Sequence, residues 1–186
     1  MNKQVSFDTE PLILVDSSDL EIGSMPKADC HEGEGTLHRA FSVFILNSAN
    51  QLLLQRRSSQ KMLWPLYWSN SCCSHPRKGE DISRAAQRRV SQELGLQVEL
   101  KEIYKFEYRA EYLDVGSEHE LCTVFIGFSD EPVEANENEI VEFRWIDAAF
   151  VIRMLKDASV PTTPWFESEW KTLMNDYPDV LIVEAE

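Results

Sequence analysis

Between residues 80 and 95 the chain carries a helical period whose apolar face has two opposite charges at its centre. Counting about 100° per residue from Ile82, Ala86 falls at about 40°, Val90 at about 80°, Leu94 at about 120° and Ala85 at about 300°, which together define one buried arc. Arg89 lies at about 340° and Glu93 at about 20°, inside that arc. Gly95 follows in the position of a left-handed helix stop. Two charges on an apolar face are costly unless they are paired or bound. Two readings follow. Either the pair is an i,i+4 salt bridge with a satisfied interior, or the arc faces a polar pocket in which Glu93 holds a metal and Arg89 serves the site. Both require the rest of the chain to pack against this helix.

The remaining pattern supplies that packing. Residues 12–15 read as a short strand, and residues 16–35 as a polar loop with room for a short helix. Residues 37–46 form a strong strand that ends at Asn47-Ser48-Ala49-Asn50, and residues 51–55 continue as its hairpin partner. Residues 56–70 are irregular, with Trp64, Tyr67 and Trp68 around Pro65. Residues 98–109, 120–128 and 140–146 read as strands, and 147–156 and 164–177 as helices. Hairpins outnumber crossovers, which predicts an α/β fold of the α+β kind, a mixed sheet packed between helices. At 186 residues and 43% hydrophobic content, one domain over residues 1–186 is expected, with 1–11 and 178–186 as flexible tails.

A net charge of −14 argues against nucleic-acid binding, which needs a basic surface, yet leaves room for a small phosphorylated substrate in a local basic pocket. No apolar run reaches the ~20 residues needed to cross a bilayer, and the first ten residues lack a signal peptide's basic and apolar regions. A cytoplasmic protein without membrane partners is expected. Cys30, Cys72, Cys73 and Cys122 then read as reduced thiols. Cys72 and Cys73 are neighbours, so on an extended segment they face opposite ways. The four histidines are His31, His38, His75 and His119. Glu118 and Glu120 share a strand face, and His119 must point away from them.

The motifs add a resemblance. Residues 74–80 followed by 88–96 resemble a degenerate Nudix box, GX5EX7REUXEEXGU, matched by Glu80, Arg88, Val90, Glu93, Gly95 and Leu96. Ser74, Arg89 and Gln92 replace its first glycine and two of its glutamates, so two of the carboxylates that hold metal in Nudix hydrolases are missing. Asn70-Ser71-Cys72-Cys73-Ser74-His75-Pro76 resembles the NSxCxHP segment of type 1 isopentenyl-diphosphate isomerases, and Glu118-His119-Glu120 resembles their ExE segment. His31 with His38, Arg57 with Lys61, and Thr163-Pro164-Trp165 also fit, so the resemblance covers roughly residues 12–177.

That family resemblance implies a Nudix-like fold and the isomerisation of isopentenyl diphosphate to dimethylallyl diphosphate through a carbocation. It implies His31, His38, His75, Glu118 and Glu120 as ligands of one transition metal (Mn²⁺, Fe²⁺ or Zn²⁺ by the donor set) and Glu93 as a ligand of Mg²⁺ shared with the substrate diphosphate. It implies Cys73 and Glu120 as the proton-transfer pair, Tyr108 beside them, and Trp165 facing the cationic centre. Lys27, Arg57, Lys61 and Arg89 take the diphosphate, with an ordinary surface lysine as the alternative for Lys61. A monomer or weak dimer is expected, with no nucleic-acid partner. The competing readings are a Nudix hydrolase of a nucleoside diphosphate derivative and a non-catalytic metal-binding domain of the same fold.

Overall fold

The computed structural model describes residues 3–182; the outermost parts of the two expected tails, 1–2 and 183–186, lie outside the described residues. One mixed sheet organises the fold. Strands β1 (Pro11–Val15) and β2 (Glu21–Pro26) form an antiparallel ribbon, and α1 (Lys27–Cys30) is a single turn. Next come β3 (His38–Leu46), β4 (Gln51–Arg57), β5 (Trp68–Ser69), β6 (Cys72–Ser74) and α2 (Ile82–Leu94). The long hairpin of β7 (Leu100–Tyr112) and β8 (Gly116–Phe128) follows, then β9 (Ile140–Asp147), α3 (Ala148–Lys156), α4 (Pro164–Asp176) and a 3-10 turn over Pro178–Leu181. Strand β3 is the hub: it pairs parallel with β8 and antiparallel with β1, β4 and β6.

Alternation along β3 and β8 divides the core into two layers. Phe41, Val43, Ile45 and Phe125 pack with Ala85, Ala86, Val90 and Leu94 of α2. Phe44, Leu46, Val124 and Ile126 pack with Trp165, Phe166, Trp170 and Leu173 of α4. The sheet is therefore covered by a helix on each face, as the expected α+β class requires. Helix α2 begins where the Asp81 side chain accepts from the Arg84 amide at 3.1 Å. It ends at Gly95, whose φ of 72° suits glycine, and where a Cβ would come within 2.8 Å of Glu134 Cβ.

One stretch differs from the sequence expectation. Residues 16–35 contain β2 as well as the short helix. This is an edge strand interrupted by Gly23 and closed by Pro26, with mostly exposed side chains, so it lacks the alternation that marks a half-buried strand. The described parts of both tails contact the body of the fold. Arg89 donates to the Val5 carbonyl, Asn136 to the Lys3 carbonyl at 2.8 Å, and Leu181 is buried in the α4-side core. No helix among the described residues is long and apolar enough to cross a membrane.

Candidate active site

Register builds the site. On the α4-side face of β8, Glu118, Glu120 and Cys122 stand in line, and His119 points the other way to Glu107, 3.0 Å from its carboxylate. The parallel pairing sets His38 beside Glu120, and the hairpin sets Tyr108 on the other side of Glu120. Strand β6 lies along β3 with Cys73 opposite Ser42. Cys72, facing the other way, is buried in the α2-side core, while Cys73 turns to the site. His31 reaches the same place from the end of α1: its carbonyl accepts from the Ser117 amide at 2.9 Å. That approach needs glycine at 116, because a Cβ there would sit 2.3 Å from the His31 oxygen.

The imidazoles and a carboxylate converge. One ligand atom from each of His31, His38, His75 and Glu118 lies within 4.8 Å of every other. His31 Nε2 is 2.7 Å from Glu118, His38 Nε2 is 3.1 Å from His75 Nε2, and His75 Nε2 is 3.0 Å from Glu120. The ring nitrogens on the far side are already committed: His31 Nδ1 meets the Lys27 carbonyl at 2.6 Å, and His38 Nδ1 meets the Thr36 carbonyl at 2.7 Å. A carbonyl only accepts, so both Nδ1 atoms carry protons and Nε2 is the atom each ring turns inward, free to bind a metal when that nitrogen is deprotonated. This is the tautomer and orientation that a metal-binding histidine requires, and the donor set of three imidazoles with flanking carboxylates fits a divalent transition metal.

Burial and neighbours tune the charges. For His31, burial disfavours the cation, but the Glu118 carboxylate outweighs it and raises the pKa. Burial also opposes the Glu118 anion, and His31 overrides that to hold it below the ordinary value. Burial, together with the neighbouring His38, pushes His75 well below its ordinary range, so it stays neutral. Burial lifts the Cys73 thiol to about 12, and the Glu169 charge adds to the effect. Tyr108 donates to Glu120 at 2.7 Å and is kept protonated by burial and by that carboxylate.

A cavity of about 260 Å³ opens onto this cluster. Of the residues picked from the sequence, Lys27, His31, Arg57, Lys61, Cys73, His75, Arg89, Tyr108, Glu118, Glu120 and Trp165 line it; His38 and Glu93 do not. Cys73 Sγ donates to Asn70 Oδ1 at 2.7 Å, and the Asn70 amide is itself fixed by the Val43 and Cys72 carbonyls. Trp165 is held by a hydrogen bond from Nε1 to Ser69 Oγ at 3.1 Å. The Arg57 guanidinium lies 5.2 Å from the Trp165 ring centre and also donates to the Leu63 and Trp64 carbonyls. It thereby clamps a loop in which Trp64 and Leu66 have φ values of 46° and 65°.

Glu93 is engaged by Arg89, whose Nε donates to its Oε1 at 2.9 Å, and both side chains are almost fully buried. The salt-bridge reading of the helix pair therefore describes the contact, and Arg89 nonetheless faces the cavity. Sequence reasoning missed Glu139, which pairs with Lys61 and stands 3.5 Å from Arg89. It lies in an acidic, turn-rich stretch with no period to single it out. Asn70 was within a recognised motif but had no role assigned to it.

Comparison with known proteins bears on family and fold. The NUDIX domain model matches residues 36–166. The chain is 44% identical to isopentenyl-diphosphate Delta-isomerase 1 of Photorhabdus laumondii over 92% of its own length and 99% of that protein. It is 39% identical to an isopentenyl-diphosphate Delta-isomerase of Nocardia farcinica, over 83% of this chain and 89% of that one. Among solved structures, one from Deinococcus radiodurans superposes with a TM-score of 0.72 at 21% identity, covering 87% of this chain and 98% of that one, a likeness of fold alone. With the fold matched and the isomerase likeness running nearly end to end, the chain belongs to the type 1 isopentenyl-diphosphate Delta-isomerases of the NUDIX superfamily.

Proposed function

We propose that this chain converts isopentenyl diphosphate to dimethylallyl diphosphate by adding a proton to the terminal methylene carbon and removing one from the methylene next to the double bond. The observation that carries this reading is that a thiol and a carboxylate, Cys73 and Glu120, line one small cavity together with Lys27, Arg57, Lys61 and Arg89. The four cations take the diphosphate. Burial and the neighbouring Lys61 lower Lys27 to about 8, so it is still charged at neutral pH and regains proton affinity beside an anion. Asn70 holds the Cys73 S–H, and Tyr108 holds the Glu120 carboxylate, so each proton-transfer group meets the substrate in one orientation. Trp165, with Trp64 packed edge-on against it at 5.1 Å, offers a π face to the carbon that becomes cationic and keeps water from it.

His31, His38, His75, Glu118 and Glu120 would hold one transition metal, which supplies positive charge beside Glu120 and fixes that carboxylate. Mg²⁺ with Glu93 and the diphosphate would be a second cation. Its place depends on the Arg89 contact, which already occupies one Glu93 oxygen. The test is incubation of purified, metal-supplemented protein with isopentenyl diphosphate, followed by proton NMR. Two methyl signals of the allylic isomer are expected to grow until the two isomers reach equilibrium. An unchanged spectrum, or release of inorganic phosphate in its place, would overturn the reading.

A further inference from the structure

Among the described residues the buried carboxylates Glu93, Glu118, Glu120 and Glu139 each meet a guanidinium, an imidazole or an ammonium. Glu169 is as deeply buried and meets none. It projects from α4 with 0% exposure, and its Oε2 has no hydrogen-bond partner. A carboxyl in that position is expensive as mere structure.

Its neighbours lead to the site. Glu169 Oε1 is hydrogen-bonded by the Cys122 thiol, with Sγ at 3.6 Å. Ser42 Oγ is 3.5 Å from Cys122 Sγ and 3.8 Å from Cys73 Sγ. Ser42, Cys122 and Glu169 are all absent from the cavity wall, whereas Cys73 lines it. The line from Glu169 through Cys122 and Ser42 thus reaches the Cys73 thiol from behind. The titratable groups facing Glu169 are Cys122 and Glu120 of β8, Cys73 of β6, and Tyr104 of β7, whose hydroxyl donates to the Glu169 carbonyl at 3.4 Å. Burial, with the Glu120 charge adding to it, lifts this carboxyl to about 8, so it is protonated at neutral pH.

We propose that Glu169 is a positioning residue that stores a proton for Cys73 and delivers it through the Cys122 thiol and the Ser42 hydroxyl while the cavity is closed to water; this rests on the isomerase reading above. The protons balance as follows. In the direction in which Cys73 is the acid, its S–H breaks as a C–H bond forms, and Glu120 takes the proton leaving the substrate. The Ser42 hydroxyl then passes its proton to the Cys73 sulfur and takes one from the Cys122 thiol, which takes the Glu169 proton in exchange. Ser42 and Cys122 end unchanged, and Glu169 ends as the carboxylate. When product leaves, Glu120 releases its proton to water, and one proton from water returns along the same line to Glu169. In the opposite direction every transfer reverses. The consequence is that the thiolate is quenched before it can recapture a proton from the product.

The experiment compares Glu169→Gln, Ser42→Ala and the double variant with the wild type, all metal-loaded. In each single variant kcat is expected to fall roughly 10- to 100-fold with KM within about twofold, and the double variant is expected to match the singles rather than multiply them. The alkaline limb of kcat that belongs to Glu169 should be lost in Glu169→Gln. Independently of activity, infrared difference spectra at neutral pH should show the carbonyl band of a buried protonated carboxylic acid in wild type and not in Glu169→Gln. Wild-type kcat in both folded single variants, or multiplying effects in the double, would overturn the relay; Ser42→Ala keeps that test open if Glu169→Gln fails to fold. Absence of the infrared band would overturn the store. A wild type without isomerase activity would instead overturn the reading on which the relay rests.

Discussion

Glu93→Gln tests the centre of the fold and the site at once. The two side chains of the Arg89–Glu93 pair are 3% and 2% exposed, and Arg89 aims both Nε and Nη2 at one Glu93 oxygen. Breaking a buried ion pair by neutralising one partner costs about 3–5 kcal/mol. Two features of this structure place the loss at the lower end of that range. The glutamine amide keeps an acceptor oxygen, and Glu139 keeps a negative charge 3.5 Å from Arg89 Nη2. The expected destabilisation is about 3 kcal/mol, and a chain of this size loses about 2–4 °C per kcal/mol, so Tm should fall by roughly 6–12 °C. Thermal unfolding at neutral pH measures this, and a Mg²⁺ titration of the rate on the same preparation reads the metal role. A Tm loss below about 2 °C would refute the argument that Glu93 chiefly balances Arg89. If that small loss came with a much steeper Mg²⁺ requirement, Glu93 would be a metal ligand first.

Cys73→Ala should lose nearly all isomerase activity while Cys72→Ala keeps most of it at a stability cost of about 1 kcal/mol, the two compared by NMR rate and thermal melting; equal losses in two folded variants would assign the chemistry to neither thiol. Removal of metal by chelator should abolish activity, with Mn²⁺, Fe²⁺ or Zn²⁺ restoring it in parallel with metal content by elemental analysis and Mg²⁺ alone restoring little; full activity with no transition metal bound would sink the imidazole site. Glu169→Gln should also change how stability depends on pH. The folded carboxyl titrates at about 8 against an ordinary 4.5, so the folded state holds an extra proton between those values. The contribution of this carboxyl to wild-type stability is therefore fully present below pH 4.5 and is lost as pH rises towards 8, by about 5 kcal/mol in all, and the variant should lack that loss. Denaturant unfolding at pH 5 and pH 8.5 measures the difference, and parallel curves for the two proteins would mean that Glu169 is ionised in the fold.

Much of the site was legible because alternation and helical period are local. The opposite facing of Cys72 and Cys73, the shared face of Glu118 and Glu120 and the inward placement of Arg89 all follow from counting residues, and each side chain points as counted. The meeting of His31, His38 and His75 is of a different kind. No spacing among them predicts it, because it depends on a parallel strand pair and on a one-turn helix docked over Gly116. Motif resemblance supplied what spacing lacked. The buried carboxylates Glu139 and Glu169 stayed hidden for another reason: one sits in an acidic loop, and the other sits on α4 in a stretch where three residues of four are polar or charged. Their burial is decided by the sheet they face.

The joining of β3 to β8 has a kinetic consequence. His31 and Glu118 meet across 87 residues of chain, and the strands that bring His38 to Glu120 run parallel, so no short hairpin can preassemble them. Contacts so distant in sequence form slowly, since the intervening chain must be ordered before they repay its entropy. A transition-metal ion added during refolding should consequently find weak, partial ligand sets until this closure and then bind tightly in a single late step. Metal uptake would thus be a clock for the last long-range event in folding, readable without any substrate.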